Sequence, residues 1–311
     1  MKKLLLLILP FFVFAQDHSL SFDGVDDFIE IDPVFNGTES TYSIFFDINI
    51  YSFDYGGAIF MHRQHNNDKV FHIGCDNGTC TENQGITFKD LYNAEWLSSG
   101  HLNTNQWYNI GVVSNEDNIS LYIDGEIVSS GSRSSQSDWG YPHEGHVFLG
   151  GLNNDNHMGY TDCNLDNFSI WDKALSVNEI NDVLTDNFSY SDSNLVFFSD
   201  FNSGEGNILY DYSGNQNHGT IYGATWVENI QGCKDELALN YNSDATIDDD
   251  SCEYPDNGDY SLSFDGQNDC VIFPSNYNFE DKFSLAISLD SYGDNSRRYA
   301  ILNRINSYAF E

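Results

Sequence analysis

Methionine and proline are scarce in this 311-residue chain, at 3 and 5, and basic residues are few, 12 Lys and Arg against 48 Asp and Glu. Each shortage removes a class of protein. So little proline excludes a proline-rich stalk. A formal net charge of −36 argues against nucleic acid as a partner, because phosphate backbones are bound by neutralising them with Lys and Arg. An anionic membrane surface is disfavoured for the same reason. Beyond the N-terminus no apolar run is long enough to cross a bilayer, so no membrane insertion is expected. The HExxH, GxSxG and P-loop patterns are missing. The nine His are scattered, and the His62 and His65 pair reads as solvated. Carboxylates in an E-x-D-x-x-E pattern, which strand alternation would gather on one face to flank a glycosidic bond, are missing too. The chain reads as non-catalytic.

What is abundant is aromatic: 23 Phe and 19 Tyr suit pleated, half-buried surfaces better than helices, and 25 Gly supply turns. The acidity has two readings, solubility or the binding of cations by Asp and Asn oxygens. The start, MKKLLLLILPFFVFAQ, has a basic n-region at Lys2 and Lys3, an apolar stretch at 4–14 and a small residue, Ala15, where a signal peptidase would cut. A signal peptide over 1–15 predicts a secreted or cell-surface protein, in surroundings where disulfides persist. Six Cys follow. Cys75 and Cys80, in CDNGTC, read as a loop stapled to itself. Cys233 and Cys252 bracket an acidic segment and are expected to pair, gaining about 3 kcal/mol from loop entropy. Cys163 and Cys270 have no evident partner.

From Ser19 to Ile170 short alternating runs are broken by Gly, Asn and Asp. DFIEIDPVF, YSIFFDINIYSF, QWYNIGVVS, ISLYIDGEIVSS and GHVFLGGL read as strands, and Asp124-Gly125 is a hairpin signal. This spacing predicts an all-β antiparallel sandwich. One short helix is expected in ALSVNEINDVLTDNF, where Ser176 and Glu179 form a capping box and Val177, Ile180, Val183 and Leu184 line one face. It is expected to plug one end of the sandwich. Strands resume at NLVFFSDF and GTIYGATWV. Residues 232–256 are an acidic linker module too short for a core of its own. After it, SLSFDGQND at Ser261–Asp269 repeats SLSFDGVDD at Ser19–Asp27, so 259–311 is expected to be a truncated second copy of the first domain, 17–228.

The ordered set SLSFDGVDDFIEI, WYNIGVV, SLYIDGEIV, VFLGG and CNLDNFSIWDKALSVNEI, with LVFFSDFNSGEGNILYDYSGNQNHGTIYGATWV, resembles the laminin G-like, concanavalin A-like jelly-roll domains of secreted proteins. In that family the stretch found here at Phe201–Trp226 usually precedes SFDGVDD. Either it folds back to supply edge strands of the first domain, or it belongs to a decayed neighbouring copy. The Cys-bracketed segment resembles a short module of secreted Bacteroidetes-type proteins in which a Gly often stands where this chain has Asp250.

Four candidate sites follow. DYSGNQNHG gathers Asp211, Ser213, Asn215 and Asn217, oxygen donors suited to Ca²⁺, or an Asx-rich turn capped by its own backbone. The resemblance implies that Asp166, in LDNFSIW, faces that loop and completes a structural Ca²⁺ site. Asp23, Asp26 and Asp27 read as a polar turn. Asp248, Asp249 and Asp250, with Asn242 and Asp244, read equally as a cation loop or a solvated one. For a glycan, SQSDWGYPHEGH offers Trp139, Tyr141 and His143, and DYGGAIFMHRQHNN offers Tyr55, Arg63 and Gln64. The alternative is that these aromatics cap the core. The leading expectation is a Ca²⁺-stabilised, non-catalytic module that binds carbohydrate or another surface ligand, within a larger adhesin or polysaccharide-handling protein. The alternatives are a spacer repeat and the accessory region of a secreted glycoside hydrolase or lyase.

Overall fold

A computed structural model describes residues 17–35, 40–53, 57–63, 69–74, 85–90, 97–132, 145–151, 159–256, 262–264, 271, 302–304 and 308–310. The segment 1–15 read above as a signal peptide, Cys75 and Cys80, the segment with Trp139, Tyr141 and His143, Tyr55, Gln64 and Cys270 lie outside them. The chain divides into two compact units, Met1–Pro255 and Asp256–Glu311.

In chain order the first unit runs β1 His18–Asp23, β2 Phe28–Phe35, β3 Tyr42–Ile50, β4 Ala58–Arg63, β5 Lys69–Gly74, β6 Thr87–Asp90, β7 Leu97–Ser98, β8 Trp107–Ser114, β9 Asn118–Ile123, β10 Glu126–Ser132, β11 Gly145–Leu149, β12 Asp162–Trp171, α1 Val177–Leu184, β13 Leu195–Ser199, β14 Ile208–Leu209, β15 Gly219–Tyr222 and β16 Thr225–Glu228. Two eight-stranded sheets form. The first has the order β10-β9-β8-β3-β12-β1-β16, with β13 also paired to β12, and the second has the order β14-β15-β2-β11-β4-β5-β6-β7. Every pairing within them is antiparallel. This is the antiparallel sandwich that the alternating runs predict, in the jelly-roll form that the resemblance implies.

The strand sequences explain the layering. In β3, Tyr42, Ile44, Phe46, Ile48 and Ile50 point between the sheets and join one large buried cluster with Phe22, Ile29, Phe60, Ile110, Val147, Phe168 and Phe197. The alternate residues of β3, Ser43, Phe45, Asp47 and Asn49, face outward, yet most are buried as well. Fully burying each such aromatic or aliphatic side chain contributes about 1.5–3 kcal/mol.

On the outer side of the first sheet, Phe45, Val113, Tyr122, Trp171 and Phe198 form a second buried cluster with Ile180 and Val183 of α1. The helix therefore lies over a sheet face instead of plugging an end, because the outward positions of β3, β8, β9 and β12 supply an apolar patch there. Its capping box is formed, with Ser176 Oγ accepting from Glu179 N and Glu179 accepting from Ser176 N. Lys173 Nζ anchors the helix start at 2.9 Å from both Glu179 Oε1 and Asp192 Oδ2.

The 195–228 stretch folds back onto the sandwich. β13 pairs with β12, β15 extends the second sheet beside β2, and β16 closes the edge of the first sheet against β1. Gly223 makes the last turn possible. Its φ is +81°, and a Cβ there would run into Asp27 Oδ1. The Asp124-Gly125 hairpin has φ of +50° and +82°, the double left-handed turn whose twist matches the strands it joins.

The Cys233–Cys252 disulfide closes the acidic segment at a sequence separation of 19. Just before it, β17 Gln231–Gly232 runs parallel to β18 Ile247–Asp248 of the closed segment, and Asn240 donates to Ser251 O and accepts from Glu253 N. Asp250 sits at φ +57°. Asp tolerates that left-handed region better than most residues. Cys163 is buried without a disulfide partner. In the second unit, β19 Leu302–Arg304 pairs antiparallel with β20 Tyr308–Phe310.

Candidate functional site

On the outer side of the first sheet, below the helix-covered patch, the side chains turn polar. Asp47 of β3 and Asp166 of β12 are direct cross-strand partners, and Asp47 is also opposite Asn109 of β8. A bulge in β12 between Asp166 and Ser169 adds a residue at this point, and Asn167 adopts φ +48°. Bulges re-aim side chains, and here consecutive residues serve the same site. Asn167 Nδ2 donates to Asp47 Oδ2 at 2.9 Å, while Asp166 Oδ1 accepts from Asn167 N at 2.8 Å. Asn109 Nδ2 donates to the other Asp47 oxygen at 2.7 Å. Asn229, just past β16, reaches in to donate to Asp166 Oδ2 at 3.2 Å, and its backbone N–H donates to Asp17 O.

These residues line a cavity of about 320 Å³ whose wall also includes Asp17, Asp124, Trp107 and, from the Cys-bracketed module, Ile247. No Lys or Arg is among its lining residues. Burial raises the Asp47 carboxyl above the usual carboxylate range, against the lowering effect of its two Asn donors. Asp166 is raised well above that range, first by burial and then by the charges of Asp17 and Asp47. Asn109 Oδ1 is buried and has no hydrogen-bond partner. Two carboxylates that repel one another and the unused buried acceptor of Asn109 are hard oxygen donors of the kind a divalent cation such as Ca²⁺ takes, while the amide nitrogens of Asn109, Asn167 and Asn229 face the carboxylates.

The DYSGNQNHG loop is built differently. Asp211 Oδ1 accepts from Phe198 N and Ser213 N, and Oδ2 accepts from Asn217 N. Asn215 and Asn217 turn their amide nitrogens onto Val196 O. Asp211, Asn215 and Asn217 are thus engaged with the chain's own backbone, which pins β13 to the loop. The hydrogen bonds of Asp166 run instead to Asn167 and Asn229. The carboxylates of Asp23, Asp26 and Asp27 lie within 4.8 Å of one another, in a turn where Asp27 Oδ2 accepts from Asp23 N and Asp23 Oδ1 from Val25 N. Asp248 and Asp249 each accept a backbone N–H two residues ahead.

Sequence reasoning singled out Asp166 but missed Asp47, Asn109, Asn167 and Asn229. The signal for Asp47 was available: it is the one charged residue in an apolar strand, at an outward position. Asn167 and Asn229 gave none, since a bulge and a chain return bring them in.

The fold and this cavity define a two-sheet jelly-roll domain of the lectin type. The chain belongs to the concanavalin A-like lectin/glucanases superfamily, whose laminin G-type family model matches residues 23–181. No curated protein matches the chain. Among solved structures, a candidate carbohydrate-binding protein from Bacteroides ovatus is similar, with a TM-score of 0.52 and 17% identity over 68% of this chain. The chain spans 60% of that protein's length. A heptameric SAP-like pentraxin from Limulus polyphemus follows at TM-score 0.44 and 16% identity, over 55% of this chain and 83% of that one. A Trypanosoma rangeli sialidase matches at TM-score 0.43 and 14% identity, over 55% of this chain and 28% of that one.

Proposed function

We propose that this chain is a secreted or cell-surface, non-catalytic module that binds carbohydrate, and that a structural Ca²⁺ ion at the paired carboxylates of Asp47 and Asp166 braces its sandwich. The carrying observation is how the buried carboxylates are used. Asp27, Asp166 and Asp211 accept hydrogen bonds from backbone N–H groups or Asn amides of the chain itself. A glycosidase would instead aim two carboxyl groups at a bond between them. The superfamily is named for lectins and glucanases, and the Bacteroides ovatus structure is a candidate carbohydrate-binding protein, which supports a glycan as the ligand class. In the cation site, Asp166 stands on β12 and Asp47 opposite it on β3. The ion would tie these two strands together and serve stability alone.

A glycan array tests the reading, run beside a reducing-sugar assay on the same polysaccharides. Binding without hydrolysis is the expected result. Release of reducing ends, or an array without any binder, refutes it.

A further inference from the structure

The outer face of the second sheet carries a diagonal row of rings. On β2 the residues Ile29 and Ile31 point into the core, so Phe28, Glu30 and Asp32 point out. The same alternation turns Thr220 and Tyr222 of β15, and His146 and Phe148 of β11, to that side. In register, Tyr222 is opposite Phe28, and Thr220, Glu30 and Phe148 form the next row. Tyr222 stacks on Phe28 at 4.5 Å between ring centroids and an interplanar angle of 17°. Phe148 lies 6.2 Å from Phe28 at a tilt of 54°, and His146 lies 6.2 Å from Phe148 at 27°. Neither Phe28, Phe148 nor Tyr222 belongs to either buried cluster, and Tyr222 is 43% exposed. Beside the rings, His146 Nδ1 sits 3.1 Å from Glu30 Oε1, with both side chains partly exposed.

We propose that this face is the glycan-binding surface, a platform on which a neutral sugar chain lays the apolar face of its rings over Tyr222, Phe28 and Phe148 while its hydroxyls meet Glu30, His146 and Thr220. The proposal rests on the carbohydrate-binding reading above and gives it a place and a charge class. Sugars are two-sided, with C–H groups over the ring and hydroxyls around its rim. A row of neighbouring rings, Tyr222 stacked on Phe28 and Phe148 tilted beside it, next to a carboxylate, a hydroxyl and an imidazole is complementary to both sides. The charge class follows from Glu30 and Asp32 on the face and from the net charge of −36. An anionic glycan would be repelled.

The test is affinity electrophoresis and calorimetry of the whole chain with galactomannan, xyloglucan and laminarin as neutral probes and chondroitin sulfate as the anionic one. The variants are Tyr222→Ala, Phe28→Leu and Glu30→Gln, each checked for an unchanged melting temperature. The expected result is binding of at least one neutral probe, weakened about fivefold to tenfold by Tyr222→Ala and measurably by Glu30→Gln, with no binding of chondroitin sulfate. If a neutral probe binds wild type and all three folded variants equally, the platform is wrong while the carbohydrate reading survives. Loss of binding in Trp139→Ala or Tyr141→Ala alone would have the same meaning. If no probe and no array glycan binds wild type, the carbohydrate reading itself falls. Self-association that Tyr222→Ala abolishes would assign the face to a second copy of the chain and overturn the proposal.

Discussion

The cation site makes a prediction in which one substitution has opposite effects under two conditions. Asp47→Asn removes one of two carboxylates that are direct cross-strand partners on a buried face. At a separation of roughly 6 Å and an effective dielectric near 20, their repulsion is about 3 kcal/mol. Against that stands the exchange of two charge-assisted bonds, from Asn109 and Asn167, for neutral ones, a loss of about 1 kcal/mol each. The lost geometry is recoverable, because Asn109 can rotate its amide and present Oδ1, now buried without a partner, to the new Asn amide. In chelator the variant should therefore be more stable than wild type by about 1 kcal/mol, some 2–4 °C in melting temperature for a domain of this size. In Ca²⁺ at a hundred times its dissociation constant, wild type gains about 2.7 kcal/mol and the variant gains little, so the order reverses. Thermal melts followed by circular dichroism, in EDTA and in Ca²⁺, read both. The reasoning is refuted if the variant melts below wild type in EDTA, or if Ca²⁺ raises the two melting temperatures equally.

Three further outcomes are expected. Glu179→Ala should cost about 1 kcal/mol at neutral pH, a modest value because its half-exposed carboxylate is screened. The backbone N–H of Ser176, then Lys173 and Ser176 Oγ, hold that carboxyl down to about 2 from an ordinary 4.5, so the ionised form stabilises the fold. That stabilisation is present above pH 4.5 and is lost as the pH falls through about 2, and the melting-temperature gap between variant and wild type should close over the same range. Gly223→Ala should destabilise by about 2 kcal/mol or more in urea titrations, since the position combines a left-handed φ with a carboxylate where Cβ would stand. Asp250→Gly should stabilise the Cys-bracketed module by about 0.5–1 kcal/mol, seen as slower proteolysis within 233–252, because Gly holds φ +57° without the strain of a side chain.

Much of the fold was legible because its cause is local. Leu20 and Phe22 alternate with Ser19 and Ser21, and that period of two already states which side of β1 meets the core. Ser176 and Glu179 announce the helix start through bonds three residues apart. Where the helix would lie was not legible, since its berth is assembled from Phe45, Val113, Tyr122 and Trp171 on four different strands.

The amino-acid order by itself determined the layered architecture, the hairpin at Asp124-Gly125, the cap at Ser176 and the pairing of Cys233 with Cys252, because each depends on residues close together or on strict alternation. The tertiary structure decided which polar groups meet. Asp47 and Asn229 stand 182 positions apart and line one cavity only after β16 has closed the sheet edge against β1. Tyr222 finds Phe28 only when β15 adds to the second sheet beside β2. Strand pairing over such distances is chosen by the burial of the whole inner face, so no short stretch of sequence carries it.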